Sequence, residues 1–303
     1  MAACCDRVKV ELIMTLPYLS VCFMEYTFFQ HVLASFGYSM ATVYAIVNQK
    51  GGVGKTTTAI NVAAYTALAG ARTLLIDLDP QGNATSGFGI NRKSLEHSTY
   101  DVLVEGHPLL ESLVETPIAG LSVLPATIDL AGAELELMPK IGRDNYLREA
   151  IEPAVGHFDL IFIDAPPSLG ILTINALVAA EGLIIPLQAE FYALEGISQL
   201  LRTIELVRQR LNPKLEITKV ILTMVDSRTR LSQQVADEVR QFLGDKVSAT
   251  EVPRNVRLSE APSHGLPIAL YDPRSRGAIA YKKIAEEIYG QTRTRSRSRH
   301  AAS

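Results

Sequence analysis

The stretch Lys50-Gly51-Gly52-Val53-Gly54-Lys55-Thr56-Thr57 constrains this chain more than any other part of its sequence. A short apolar, β-branched run (42–47) precedes it, and an Ala-rich segment (56–69) with Ile60, Val62, Ala63 and Ala67, expected to be a helix packed on a sheet, follows it. The residues fit Gly-x-x-x-x-Gly-Lys-Thr except at the first glycine, and strand–loop–helix is the context this motif requires. Glycines let backbone N–H groups turn inward and approach a phosphate with no Cβ in the way. The helix N-terminus adds the positive end of its dipole. Gly51, Gly52, Val53 and Gly54 are therefore expected to wrap a phosphate. Lys55 is expected to neutralise β- and γ-phosphate charge, and the Thr56 hydroxyl to bind Mg²⁺.

The rest of the middle region repeats the alternation. Further strands are expected at 73–76, 121–124, 159–163, 182–186 and 218–223, each nearly continuously apolar, as parallel strands covered on both faces are. Helical spacing marks 171–180, 194–211, 231–242 and 275–289. This implies a single-domain α/β chain, a P-loop NTPase with a doubly wound, mostly parallel sheet and helices on both faces.

Two carboxylate groups stand where such a loop needs them. The apolar run Asp159-Leu-Ile-Phe-Ile-Asp164 closes in an acid placed to hold Mg²⁺ through water. Asp77 and Asp79 end the strand before Pro80-Gln81-Gly82-Asn83, and period-two alternation sets both on one side of the chain. One of the pair is expected to position a water or complete a Mg²⁺ shell.

Composition separates three regions. The formal charge is −3 overall, which argues against a basic nucleic-acid coat protein. Residues 1–39 carry −1, 40–290 carry −6, and 291–303 carry +4 from Arg293, Arg295, Arg297 and Arg299. All three cysteines (Cys4, Cys5, Cys22) lie in the first region. The apolar run 12–24 is shorter than the roughly 20 residues that span a bilayer. Acidic residues beside Arg7 and Lys9 and the lack of a small-x-small site weaken a signal-peptide reading. Residues 1–39 therefore read as an N-terminal extension outside the core, with Met40 as a second candidate start and a peripheral arm as the alternative. Residues 291–303 read as a basic flexible tail.

On these residues, together with the 159–168 block and Val252-Pro-Arg-Asn-Val-Arg-Leu-Ser-Glu-Ala-Pro262, the chain resembles the ParA/Soj-type partitioning ATPases over 41–290. These sit within the deviant Walker-A P-loop family, which also holds MinD and the nitrogenase iron protein. The resemblance implies ATP hydrolysis with Mg²⁺ and an ATP-sandwich homodimer. In it Lys50 reaches the partner subunit's phosphates, Asp79 positions the attacking water, Asp77 joins Thr56 and Asp164 at the metal, and Thr57 adds a phosphate contact. Pro253 and Asn255 would lie by the adenine. It also implies nonspecific DNA binding through Arg228 and Arg257 with Arg230 as helper, and a ParB-type centromere-binding protein that stimulates hydrolysis. The expected location is cytoplasmic and nucleoid-associated, with no stable membrane insertion. The rival is a MinD-like membrane-associated positioning ATPase, which uses a C-terminal amphipathic helix that the Arg-Ser tail cannot form. An iron–sulfur reductase is excluded because residues 40–303 contain no cysteine.

Overall fold

A computed structural model describes residues 41–190 and 193–301, with side chains described except in 191–195 and 293–301. The expectations for residues 1–39 lie outside the described residues. From Ala41 onward the chain forms one compact unit.

The elements run β1 (Thr42–Ile46), α1 (Lys55–Leu68), β2 (Thr73–Asp77), α2 (Asn83–Gly87), β3 (Val114–Glu115), β4 (Leu121–Leu124), α3 (Leu130–Leu137) and α4 (Tyr146–Ile151). They continue with β5 (Leu160–Asp164), α5 (Ile171–Ala179), β6 (Gly182–Gln188), α6 (Ala193–Arg210), β7 (Glu216–Thr223), α7 (Arg230–Leu243), α8 (Val256–Glu260), α9 (Ile268–Tyr271) and α10 (Arg276–Ala301). The strands form one sheet in the order β3-β4-β2-β5-β1-β6-β7. Every pairing is parallel except β3 with β4.

Both faces of the sheet are buried, which is why its strands show no polar alternation. In β1, Val43 and Ala45 join one apolar core while Tyr44 and Ile46 join the other. The first core packs α3, α5, α6 and α7 onto the sheet; the second packs α1 and α10. The chain leaves β1 in one direction toward β2 and leaves β5 in the other, over β1, toward β6. Their carboxyl ends thus form a topological switch point, where open α/β sheets bind ligands.

Polar ties lock the C-terminal block onto α1. The Thr58 and Tyr281 hydroxyls lie 3.1 Å apart, and the Ile268 N–H donates to Asn61 Oδ1 at 2.8 Å. Helix α10 continues to Ala301, and buried Thr292 shares a 2.9 Å hydrogen bond with the Tyr44 hydroxyl. Once a helix is nucleated by packing, each added residue gains a backbone bond at little extra entropy cost, so the Arg-Ser run prolongs it.

Candidate functional site: the strand-end phosphate cradle

The loop between β1 and α1 has the geometry its glycines allow. Gly52 and Gly54 adopt φ of 75° and 87°, left-handed values that strain side chains with a Cβ. Gly54 is also the N-cap of α1, so the free N–H groups of the first helical turn open directly onto the loop. The loop is pinned from behind. Asn48 Nδ2 donates to the Pro186 carbonyl at 2.7 Å, and the Thr223 hydroxyl donates to the Val53 carbonyl at 2.8 Å. These bonds tie the cradle to the ends of β6 and β7.

Lys55 is only 6% exposed, and its Nζ donates to the Lys50 carbonyl at 3.2 Å. Burial pulls its pKa down, while the Asp164 and Asp79 carboxylates hold it up. Register places Asp77 directly opposite Asp164 across β2 and β5, and Ile46 opposite Asp164 across β1 and β5. Two strand-end carboxylates therefore sit side by side next to the cradle.

Their environments differ. Asp77 Oδ2 accepts from the Thr85 N–H at 2.8 Å and the Thr85 hydroxyl at 2.6 Å, and Oδ1 accepts from the Asp79 N–H at 3.3 Å. Burial still raises its pKa to about 6, with the Asp79 charge adding to the rise and the Thr85 bonds opposing it. Asp164 is fully buried, and neither of its oxygens has a hydrogen-bond partner. Burial and then the Asp77 charge push its pKa well up. The Thr56 hydroxyl is near enough to oppose that rise without being aligned as a hydrogen bond. Asp79 is 7% exposed, and its Oδ1 accepts from the Gln81 N–H at 2.9 Å.

Orphaned carboxylate oxygens beside a cradle of N–H groups fit a divalent cation, which would satisfy Asp164 and relieve its repulsion with Asp77. Among the described residues, no cluster of three or more His, Cys, Asp or Glu can hold a metal alone. A cation here would take its remaining ligands from phosphate and water, as Mg²⁺ does in nucleotide sites.

Of the other expected residues, Lys50 and Thr57 flank the cradle and the rest lie elsewhere. Lys50 Nζ makes an exposed 2.7 Å ion pair with Glu190 of the same chain. Thr57 follows Thr56 in the first turn of α1, and its carbonyl accepts from Asn61 Nδ2 at 2.8 Å. Pro253 pairs with Val225 in an isolated parallel bridge and lines a cavity of about 260 Å³ with Ser227, Arg276 and Lys283. Asn255 caps α8, its Oδ1 accepting from the Arg257 N–H at 2.9 Å. Arg228 pairs with Asp226 at 2.8 Å, and Arg257 pairs with Glu260 at 2.9 Å and Asp272 at 3.5 Å. Arg230 opens α7. Sequence reasoning missed Thr85 and Glu190. Thr85 was within reach, since a hydroxyl two residues into the segment after Gly82-Asn83 suits a strand-end carboxylate; Glu190 carried no signal.

A phosphate cradle at a strand–helix junction, with carboxylates closing two neighbouring parallel strands, defines a P-loop nucleoside triphosphatase. A family description of an AAA domain matches residues 41–217. The chain is 55% identical over 249 residues to the sporulation initiation inhibitor protein Soj of Bacillus subtilis, covering 82% of this chain and 98% of that one. It is 52% identical over 255 residues to the chromosome partitioning protein ParA of Caulobacter vibrioides, covering 84% and 96%. The chain belongs to the ParA/Soj family of chromosome-partitioning ATPases. Among solved structures, a cobyrinic acid a,c-diamide synthase from Mycobacterium smegmatis with bound ADP and magnesium matches with TM-score 0.72 and 41% identity over 82% of this chain and 93% of that one. The cell-division ATPase MinD of Pyrococcus furiosus matches at 0.69 and 25% identity, over 83% and 100%. Among the described residues, no helix is long and apolar enough to cross a membrane.

Proposed function

We propose that the chain is a Mg²⁺-dependent DNA-segregation ATPase that switches between an ATP-bound dimer gripping nonspecific DNA and a released ADP form. The observation that carries the nucleotide half is Asp164: a buried carboxylate with two unpartnered oxygens beside a phosphate cradle is costly unless a cation arrives. The magnesium in the cobyrinic acid a,c-diamide synthase structure, bound there with ADP, supports the same pairing here. When bound, the cation neutralises charge on the β- and γ-phosphates.

The chain's own residues do the rest. The N–H groups of 51–57 and the start of α1 bind phosphate oxygens, and Lys55 supplies a fixed positive charge. Thr56, Asp77 and Asp164 would hold the metal. Asp79 orients the attacking water, and Pro253 and Asn255 lie by the base. Lys50 must leave Glu190 to reach a partner subunit's phosphates. Exposed ion pairs contribute only about 0.2–1 kcal/mol, so that transfer costs little.

The Val225–Pro253 bridge joins the segments that lead into Arg228, Arg230 and Arg257, which supports a shared phosphate-binding surface. Dimerisation doubles that surface and couples nucleotide to DNA. A ParB-type protein stimulates hydrolysis and release, and the working location is the cytoplasm at the nucleoid. DNA co-sedimentation with ATP, ADP and no nucleotide tests the switch. Binding is expected with ATP alone, and Asp79→Ala is expected to stay DNA-bound with ATP. Equal binding in all three states overturns it.

A further inference from the structure

Arg257 sits in a clasp made by its own chain. Its Nη1 donates to Glu260 Oε2 at 2.9 Å, and its Nε lies 3.5 Å from Asp272 Oδ2. The two carboxylates come from different elements: Glu260 closes α8, and Asp272 is the C-cap of α9. An exposed ion pair is ordinarily weak, because two mobile side chains must be ordered together. Here the acidic half is ordered in advance. The Tyr271 hydroxyl donates to Glu260 Oε2 at 3.1 Å, and the Tyr271 ring stacks on His264 with centroids 4.9 Å apart. The Asp272 N–H donates to the Ile268 carbonyl at 3.0 Å, and the Ile268 N–H bond to Asn61 anchors the other end of α9 on α1. The bonds from Arg257 and then Tyr271 hold the Glu260 carboxyl below the usual carboxylate range, so it is ionised at neutral pH.

The two paired arginines of the proposed DNA surface are thus held differently. Arg228 pairs with Asp226 inside one turn, and its side chain is 86% exposed. The Arg257 side chain is 54% exposed and is gripped from two elements. A guanidinium binds carboxylate and phosphate through the same fork of N–H donors, so the two anions compete for it.

We propose that Glu260 and Asp272 are built-in competitors for DNA phosphate, which occupy Arg257 so that a single subunit stays off DNA. The proposal rests on the reading above that Arg257 contacts DNA. A phosphate reaches Arg257 only by displacing the clasp, and the displaced carboxylates remain close enough to repel it. A single subunit meets that cost with few other contacts. A dimer brings two Arg257 side chains to one duplex, and the second contact forms at high effective concentration. The clasp therefore sets the affinity that the dimer exceeds and the single subunit does not.

The test uses the full chain and a fluorescein-labelled DNA duplex, with anisotropy read in ADP and in ATP at one fixed salt concentration. Glu260→Gln and Asp272→Asn each remove one competitor, and each is expected to tighten DNA binding about 2- to 5-fold, the worth of an exposed pair. The two together are expected to give the ADP form measurable DNA binding. Glu260→Asp keeps the charge but retracts the carboxylate from Arg257, and is expected to tighten binding as well. Glu286→Gln removes the same charge from an exposed place on α10, and is expected to leave binding unchanged.

Equal gains in Glu286→Gln and Glu260→Gln would reduce the effect to net charge and overturn the clasp. Weaker DNA binding in Glu260→Gln or Asp272→Asn would show that these carboxylates aim Arg257 at DNA, and would overturn it too. Melting temperatures report folding, and if Glu260→Gln does not fold, Asp272→Asn carries the same test. Wild-type binding with ATP but no gain in any variant overturns the clasp alone. No DNA binding by the wild type in any nucleotide state overturns the DNA reading beneath it, and the clasp with it.

Discussion

Charged residues at the strand ends and charged residues on the arginine loops belong to the same proposed cycle but live under different physics. Asp77, Asp164 and Lys55 are buried and crowded, so desolvation dominates each of them. Arg228 and Arg257 are exposed and already paired with carboxylates of their own chain. The first group stores unfavourable energy that a bound cation and phosphates relieve. The second stores almost none and can exchange one anionic partner for another. In the proposed cycle a ligand is thus required at one place and merely accepted at the other.

The contrast is broken most severely at Asp164. Asp164→Asn is expected to cut steady-state ATP hydrolysis at least about 100-fold, roughly the loss of one charged transition-state contact. It is also expected to raise the melting temperature of the nucleotide-free protein at alkaline pH, where burial and the Asp77 charge oppose ionisation of Asp164. A nucleotide-free melting point that falls would show that Asp164 is satisfied without a ligand.

Titration of the same cluster should show next. Asp77 has its native pKa raised to about 6, chiefly by burial, so the folded state binds a proton more readily than the unfolded chain does. Its contribution is fully present below the unfolded carboxylate value and is lost as pH rises through about 6. Melting of the nucleotide-free protein is expected to show a loss on the order of 2 kcal/mol from pH 4 to pH 7, less in Asp77→Asn. Mg²⁺ with a nonhydrolysable nucleotide should flatten the difference between the two proteins.

The exposed side of the comparison predicts function lost without stability lost. Arg257→Glu is expected to abolish ATP-dependent DNA co-sedimentation while leaving ATP-dependent dimerisation and the melting temperature unchanged. A large fall in melting temperature would place Arg257 among the structural charges. The smallest effect belongs to Glu190→Gln. Freeing Lys50 is expected to tighten the ATP-dependent dimer by no more than about 5-fold, the worth of an exposed pair, measured by sedimentation equilibrium.

The long elements were legible because their signals are local and repeated. All strands of the parallel sheet and helices α1, α5, α6, α7 and most of α10 stand where periodicity set them. The shorter pieces were not: β3, α2, α8 and α9 are each five residues or fewer, below the length at which a period can be read. Helix α3 was hidden for a different reason. Its outer face is as apolar as its inner one and its two glutamates fall on opposite flanks, so no single polar side marks a period.

At the site, the strand–loop–helix cradle and the carboxylates closing β2 and β5 were readable, because adjacency along the chain dictates them. Glycine conformations, a helix N-terminus and a lysine inside one turn are all consequences of a dozen consecutive residues. The tertiary structure alone decided that Asp77 faces Asp164 in register, that Thr85 serves one carboxylate and leaves the other bare, and that Lys50 rests on Glu190. Each of these depends on strand order and on how much water is excluded. Both are set by contacts between residues 8 to 140 positions apart, and no local pattern of side chains encodes them.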